Sequence, residues 1–273
     1  MSEFSVPPLA PKEGWPVIHL FYQINRSVWQ AMSASVRQEG KLALEKTVEE
    51  FRQKHSCQIV TLAVIAHADI GFMLIGPDLQ QLNLLEKRIA LALGADVLKP
   101  VYSYFSITEK SEYTQTEEEF ITETQQKENV QPGSPEMEEK LKGFRERIKR
   151  YTEDRLYPKL PDWEFVCFYP MSKRRDPQQN WYALDFAKRR ELMGGHARVG
   201  RQFAGRVSQL VTGSAGMDAW EWGVTLFARN PSDIKDIVYQ MRFDEVSHTY
   251  AEFGPFYNGL ALKLPQIYER LQL

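Results

Sequence analysis

Residues 57–75, CQIVTLAVIAHADIGFMLI, hold two runs of β-branched and apolar residues, Cys57 to Ile65 and Ile70 to Ile75, joined around Ala68-Asp69. Runs of this length and composition on either side of a short connection read as two strands. Upstream, Trp29 to His55 carries Met32, Val36, Leu44, Val48 and Phe51 at helical spacing, and Val17 to Ile24 reads as a strand before it. Downstream comes a leucine-rich helix, Leu79 to Leu93, and a further strand, Val101 to Ile107. The order is βαββαβ. It recurs in the second half as strand Glu164 to Tyr169, helix Leu184 to Phe203, strands Val207 to Thr212 and Glu221 to Ala228, helix Ser232 to Met241 and a strand near Phe256 to Leu262. The two halves share this order without visible residue likeness. A βαββαβ unit is a ferredoxin-like sandwich, so the expected class is α+β with two such units in tandem. Two sheets set face to face would leave a cleft between sheet and helices, suited to a flat cofactor. The expected boundaries are 1–108 for the first unit, 109–154 for a charged connecting segment, and 155–273 for the second unit.

The connecting segment divides in two. Glu109 to Asn129 is rich in Glu, Thr and Gln and reads as an exposed linker, ended by the turn-forming Gln131-Pro132-Gly133-Ser134-Pro135. Glu136 to Arg150 alternates charges around Met137, Leu141, Phe144 and Ile148, which suits a solvated helix with one narrow packed face. On its own it reads as a spacer without chemistry.

With 43% hydrophobic residues over 273 positions, the chain can bury a substantial core. A net charge of -2 gives no electrostatic reason to expect nucleic acid or an anionic membrane as partner. The two cysteines, Cys57 and Cys167, lie in separate strand-like runs without metal-ligand spacing and are expected to be buried thiols. No basic region followed by an apolar stretch opens the chain, and no run of about 18 apolar residues occurs, so a cytoplasmic location is the expectation.

Residues able to do chemistry crowd between Arg155 and Gly259. Tyr169-Pro170-Met171-Ser172-Lys173-Arg174-Arg175 reads as the end of a strand, broken at proline, that delivers three cations into a loop. Such cations pair with carboxylates, arginine by a planar fork and lysine as a point charge; a solvated surface turn would read the same. His196 follows Gly194-Gly195 late in a helical stretch, where small neighbours let a large group approach. A neutral imidazole is a natural axial ligand of haem iron, although His19, His55, His67 and His248 show that a histidine alone carries little.

Six segments together are more specific. The Tyr169 to Arg175 run, Asn180-Trp181-Tyr182, His196-Ala197-Arg198-Val199-Gly200-Arg201, Gly213-Ser214-Ala215-Gly216, Glu221-Trp222-Gly223-Val224-Thr225-Leu226-Phe227-Ala228 and Met241-Arg242-Phe243-Asp244-Glu245-Val246-Ser247 resemble, in order and spacing, the coproheme decarboxylases of the chlorite dismutase family. The likeness is dense over Arg155 to Gly259 and extends to the first half only in element order. It implies a dimeric α+β barrel-like fold with the haem site in the C-terminal unit. It also implies an H2O2-dependent enzyme that converts two propionates of iron coproporphyrin III to vinyls, giving haem b through a mono-vinyl intermediate and a tyrosyl radical. Position by position, it makes His196 the proximal iron ligand, Tyr169 the redox tyrosine, and Lys173 the lysine that engages a propionate and assists the second decarboxylation. Met171 falls close to the porphyrin, Arg155 and Ser247 at propionate-binding positions, and Gln209 at the distal position, where a chlorite dismutase carries arginine. A homopentamer and a coproporphyrin ferrochelatase as supplier are implied in the same way. Two departures stand out. The family pattern has a shorter segment before Arg155, with a Tyr and an Asn that bind propionate, where this chain has Glu109 to Lys149; and Ala197 replaces a glycine.

Other readings differ in what they require. Chlorite dismutase needs a distal cation, against which Gln209 argues. A dye-decolourising peroxidase would oxidise bulky dyes without loss of carboxyls. An RNA-recognition module needs aromatics in a basic, Gly-Phe-rich strand, which the sequence lacks. A non-catalytic haem carrier or sensor would use the same His196, and Tyr169 with Lys173 favours catalysis over it.

Overall fold

The computed structural model describes residues 6–273. The first half runs β1 (Pro16–Ile24), α1 (Arg26–Ala31), α2 (Ala34–Lys54), β2 (Gln58–Ile65), β3 (Ile70–Ile75), α3 (Leu79–Ala92) and β4 (Leu98–Thr108). Two helices follow, α4 (Glu117–Glu128) and α5 (Pro135–Leu156). The second half comprises β5 (Phe165–Lys173), the small hairpin β6 (Arg175–Asp176) and β7 (Gln179–Asn180), α6 (Phe186–Arg201), β8 (Val207–Gly213), β9 (Trp222–Ala228), α7 (Pro231–Met241), α8 (Glu245–Tyr250), β10 (Ala251–Phe253), β11 (Tyr257–Ala261) and α9 (Leu264–Leu271).

Within each half the strands pair as a ferredoxin-like sheet, β4-β1-β3-β2 and β8-β9-β5-β11. The two sheets then join at both edges. Asn258 to Ala261 of β11 pairs with Ile65 to Leu62 of β2, and Ile107 and Thr108 of β4 pair with Gly213 and Thr212 of β8. Every one of these eight strands therefore has two antiparallel neighbours, and the sheet closes into a barrel, which removes the edges that would invite aggregation. The space between the two sheets is filled: Phe21, Phe168, Tyr102 and Tyr257 stack across the barrel interior with ring centroids 4.2–6.4 Å apart. His19 lies there too, stacked 4.0 Å from Phe168 and 2.9 Å from the Thr225 hydroxyl, and burial pushes it down to about 3, so it stays neutral. A filled interior leaves the outer faces of the barrel, between sheet and helices, as the places for a ligand.

Strand alternation sorts the residues. On β5, Val166 and Phe168 point into the barrel core, while Cys167, Tyr169 and Met171 belong to the layer under the helices. The outer face of the first half is closed by α2, α3 and α9 over Trp29, Leu44, Phe51, Leu82, Ile89 and Ile267. Among the described residues no helix is long and apolar enough to cross a membrane.

Several expectations are corrected. The helix read from Trp29 to His55 is two, because Met32 is extended and the Ser33 side chain accepts from Val36 N–H to start α2. The strand read from Val101 begins at Leu98, with Pro100 tolerated where a bulge shifts the pairing between Phe21 and Tyr22. The linker Glu109 to Asn129 contains α4, opened by a Thr116/Glu119 capping box and packed on α5 through Phe120, Ile121, Met137 and Leu141. Finally, β5 does not stop at Pro170. Residues 165–168 pair with β11 and residues 171–173 with β10, so proline falls at the gap between two edge partners, where no donor is required of it. Lys173 is thus a buried strand residue, only 8% exposed, and not part of a solvated loop.

Candidate functional site

A cavity of about 2640 Å³ lies against the outer face of β5, β8 and β9, bordered by α6, α7, α8, the end of α5 and the stretch after β4. Ordinary small-ligand pockets measure about 300–1,000 Å³, so this space admits a macrocycle. All seven positions singled out in the sequence line it: Tyr169, Met171 and Lys173 from β5, Gln209 from β8, His196 from α6, Ser247 from α8 and Arg155 from the last turn of α5.

The sheet register orders its floor. Tyr169 is opposite Val224, which is opposite Val211; one step along, Met171 is opposite Trp222, which is opposite Gly213. Gln209 lies one row to the other side, opposite Leu226. Rows of this kind are about 7 Å apart, the rise of two strand residues.

His196 Nδ1 is 2.8 Å from Asp244 Oδ2. Burial raises the Asp244 carboxyl, but the bond and charge of His196 and the hydrogen bonds from Ser247 outweigh it, and the group lies below its ordinary value. An ionised carboxylate only accepts, so Nδ1 carries a proton, and in the neutral imidazole Nε2 is then the nitrogen with the lone pair. This is the arrangement that orients an imidazole for a metal and raises its basicity. Ser247 Oγ donates to the same Asp244 oxygen at 3.4 Å.

Tyr169 is packed by Phe256, stacked at 4.5 Å, and Phe253 at 5.9 Å. Burial, then Cys167, pushes its phenol well above the usual tyrosine value against a weaker opposing pull from Arg242, so the ring is neutral at ordinary pH. The Lys173 ammonium sits 4.5 Å over the Trp181 ring, and its backbone N–H donates to Glu221 Oε2 at 2.8 Å. Burial lowers this lysine to about 8, with Asp244 and Glu221 acting the other way. Arg155 donates through Nε to the Glu109 carbonyl at 3.1 Å.

Five cations on this lining, Arg155, Lys173, Arg198, Arg201 and Arg242, have no carboxylate in ion-pair contact among the described residues, whereas Arg190 is paired with Glu119. Lys173 is buried and Arg155 half-buried, while Arg198, Arg201 and Arg242 are exposed along the border; cations without counter-ions around one cavity suit a ligand carrying several carboxylates. Apolar floor, an available imidazole nitrogen and this donor set together fit an iron porphyrin with acidic side chains.

Asp244, Trp181 and Glu221 were not foreseen as site residues. Each lies inside one of the six sequence segments, yet only the tertiary structure brings a residue 48 positions on from His196 to its ring. Glu109 and Tyr113 also line the cavity, so the segment after β4 is more than a spacer. Tyr113 stacks on Phe186 of α6 at 5.9 Å.

A family model described as chlorite dismutase matches residues 37–262. A protein of Oceanobacillus iheyensis named coproheme decarboxylase is 33% identical over 96% of this chain and 97% of its own length. A Natronomonas pharaonis protein named for heme binding is 39% identical over 92% of this chain, which spans only 40% of that longer protein. Among solved structures, a heme-binding protein of Thermus thermophilus superposes with a TM-score of 0.78 at 34% identity, covering 98% of this chain and 99% of that one. A chlorite dismutase mutant of Candidatus Nitrospira defluvii, at 16% identity and a TM-score of 0.70 over 96% of this chain and 98% of that one, shares the fold.

Proposed function

The chain belongs to the chlorite dismutase family, and on that premise we propose that it is a coproheme decarboxylase, using hydrogen peroxide to convert two propionates of iron coproporphyrin III into the vinyls of haem b. The observation that carries the reading is one cavity lined by both His196, held by Asp244, and Tyr169, with unpaired cations around them. Each round balances as one propionic side chain plus one H2O2 giving one vinyl group, CO2 and two waters.

The iron porphyrin, when bound, supplies the peroxide-driven oxidation. His196 Nε2 would hold the iron, with Nδ1–H donating to Asp244 Oδ2. Tyr169 gives up an electron and its phenolic proton, and the resulting tyrosyl radical takes a hydrogen atom from the propionate β-carbon and is restored as phenol. Loss of a second electron from that carbon centre releases CO2 and forms the vinyl group. Arg155, Lys173 and Ser247 anchor carboxylates and Met171 packs near the ring edge, each charge-assisted hydrogen bond contributing about 1.5–3 kcal/mol. Gln209, also on the cavity lining, would offer a neutral hydrogen bond to a small oxidant there. A homopentamer, a cytoplasmic location and delivery of coproheme by a ferrochelatase belong to the same proposal.

Mass spectrometry of porphyrin products after mixing the protein with coproheme and peroxide tests it. Two successive losses of CO2 plus two hydrogens are expected; coproheme bound but unchanged would favour a heme carrier, the reading to which the names of the heme-binding relatives point. Asp244→Ala is expected to lower iron-porphyrin affinity or turnover by about 10–100-fold, with Asp244→Asn less affected, as read by coproheme titration and the axial-ligand spectrum.

Lys173 gives a pH test. Its charged form anchors a carboxylate below about 8 and is lost as pH rises through that value. Mono-vinyl product should therefore accumulate in the wild type above about pH 8, and in Lys173→Ala at every pH. Chromatography showing the same pH profile in both would remove Lys173 from the second step.

A further inference from the structure

The row Ile107, Gly213, Trp222 and Met171 runs across four strands, from β4 through β8 and β9 to β5. Glu109, two residues beyond Ile107, folds its side chain over this row. The Trp222 indole N–H donates to Glu109 Oε1 at 3.0 Å, and a Cβ placed on Gly213 would overlap the other carboxylate oxygen. The carboxylate therefore occupies a niche that exists only because position 213 is glycine. Arg155, whose Nε is bonded to the Glu109 carbonyl, faces it from α5, and Glu112 from the chain that follows. Its neighbour Lys110 is turned away to Glu13 at 2.6 Å. The niche opens on the same cavity as Tyr169, Met171 and Lys173. Nothing in the mechanism above uses Glu109.

An anionic side chain inside a space suited to an acidic porphyrin is an electrostatic conflict. Two carboxylates near one another in a partly desolvated site do not both stay ionised without cost; one takes a proton. Glu109 is placed to be that one, because its single neutral donor, the indole, still bonds a protonated carboxyl, whereas the substrate's carboxylates meet arginine and lysine. Burial already holds the Glu109 carboxyl above its ordinary value, with Glu112 acting in the same direction and the Trp222 bond and Arg155 opposing.

We propose that Glu109 couples binding of a carboxylate-rich porphyrin to uptake of one proton, and so acts as a specificity residue that favours the tetracarboxylate substrate over the dicarboxylate product. With substrate bound, the neutral acid accepts from Trp222 and can donate its own O–H to a neighbouring carboxylate. Once two carboxylates have left as CO2, the field that held the proton weakens, Glu109 ionises again, and its restored charge opposes the product's remaining acids. This deepens the function proposed above and rests on it for the nature of the ligand. The sign follows: a group whose pKa is higher in the complex than in the free protein takes up a proton on binding, so affinity falls as pH rises between the two values.

The test uses metal-free coproporphyrin III as probe, which removes iron ligation by His196, with protoporphyrin IX as the dicarboxylate control. Calorimetry in buffers of different ionisation enthalpy counts protons. The wild type should take up about one proton more than Glu109→Gln with coproporphyrin, and its Kd should weaken by up to about tenfold per pH unit where the variant is flatter. Protoporphyrin should show little difference between the two proteins. Gly213→Ala, which expels the carboxylate from its niche, should resemble Glu109→Gln. Equal proton counts in wild type and Glu109→Gln, both binding coproporphyrin, overturn the coupling and leave the proposed function standing. Failure of the wild type to bind coproporphyrin at all overturns both.

Discussion

Tyr169→Phe is expected to bind coproheme with nearly unchanged affinity and yet to form haem b at less than about 1% of the wild-type rate, a barrier increase of roughly 2.7 kcal/mol or more. The substitution removes one hydroxyl and leaves the ring that Phe256 and Phe253 grip at 4.5 and 5.9 Å, so the wall of the cavity keeps its shape. What is lost is the only oxidisable O–H at this point of β5. Phenylalanine has no proton to give up with its electron and cannot take a hydrogen atom from a propionate carbon. Stopped-flow absorbance with product chromatography separates the outcomes: unchanged binding with near-native product formation would assign the radical step to another residue.

His196→Ala is expected to abolish the histidine-ligated iron spectrum and to weaken coproheme binding by more than about 100-fold, beyond the range seen for loss of a supporting group alone. Two effects combine. The coordinating nitrogen disappears, and Asp244, held below its ordinary value partly by this imidazole, is left as a half-buried carboxylate with Ser247 as its remaining partner. Added imidazole should restore part of the ligand spectrum and, with it, part of the turnover. A variant with the wild-type axial signature would place the iron ligand elsewhere.

The two βαββαβ halves were legible because period-two alternation and helical spacing are local properties, written within each strand and helix. Closure of the barrel was not, since it depends on edge pairings as small as Ile107–Gly213 and Thr108–Thr212. The helix Glu117–Glu128 was hidden by its composition. Acidic residues and threonines obscure its short apolar face of Phe120 and Ile121, and its start is fixed by side-chain bonds at Thr116 that spacing alone does not announce. Proline at 170 suggested a strand end, and only the change of edge partner from β11 to β10 explains why the strand runs on to Lys173. The seven residues drawn from family resemblance do share one cavity. Their companions Asp244, Trp181 and Glu109 needed tertiary structure, because a hydrogen-bond partner many positions away leaves no periodic trace.

The helix-covered face of the first half is solid with Trp29, Leu44, Phe51 and Ile267, whereas the corresponding face of the second half is hollowed. One repeat thus serves as ballast for the other. Amide exchange should be slowest in β1, β3 and α3 whether or not a porphyrin is present, and should slow markedly in α6 and α8 only on loading. A mould whose firmness resides in its idle twin can release one casting and accept the next without losing its form.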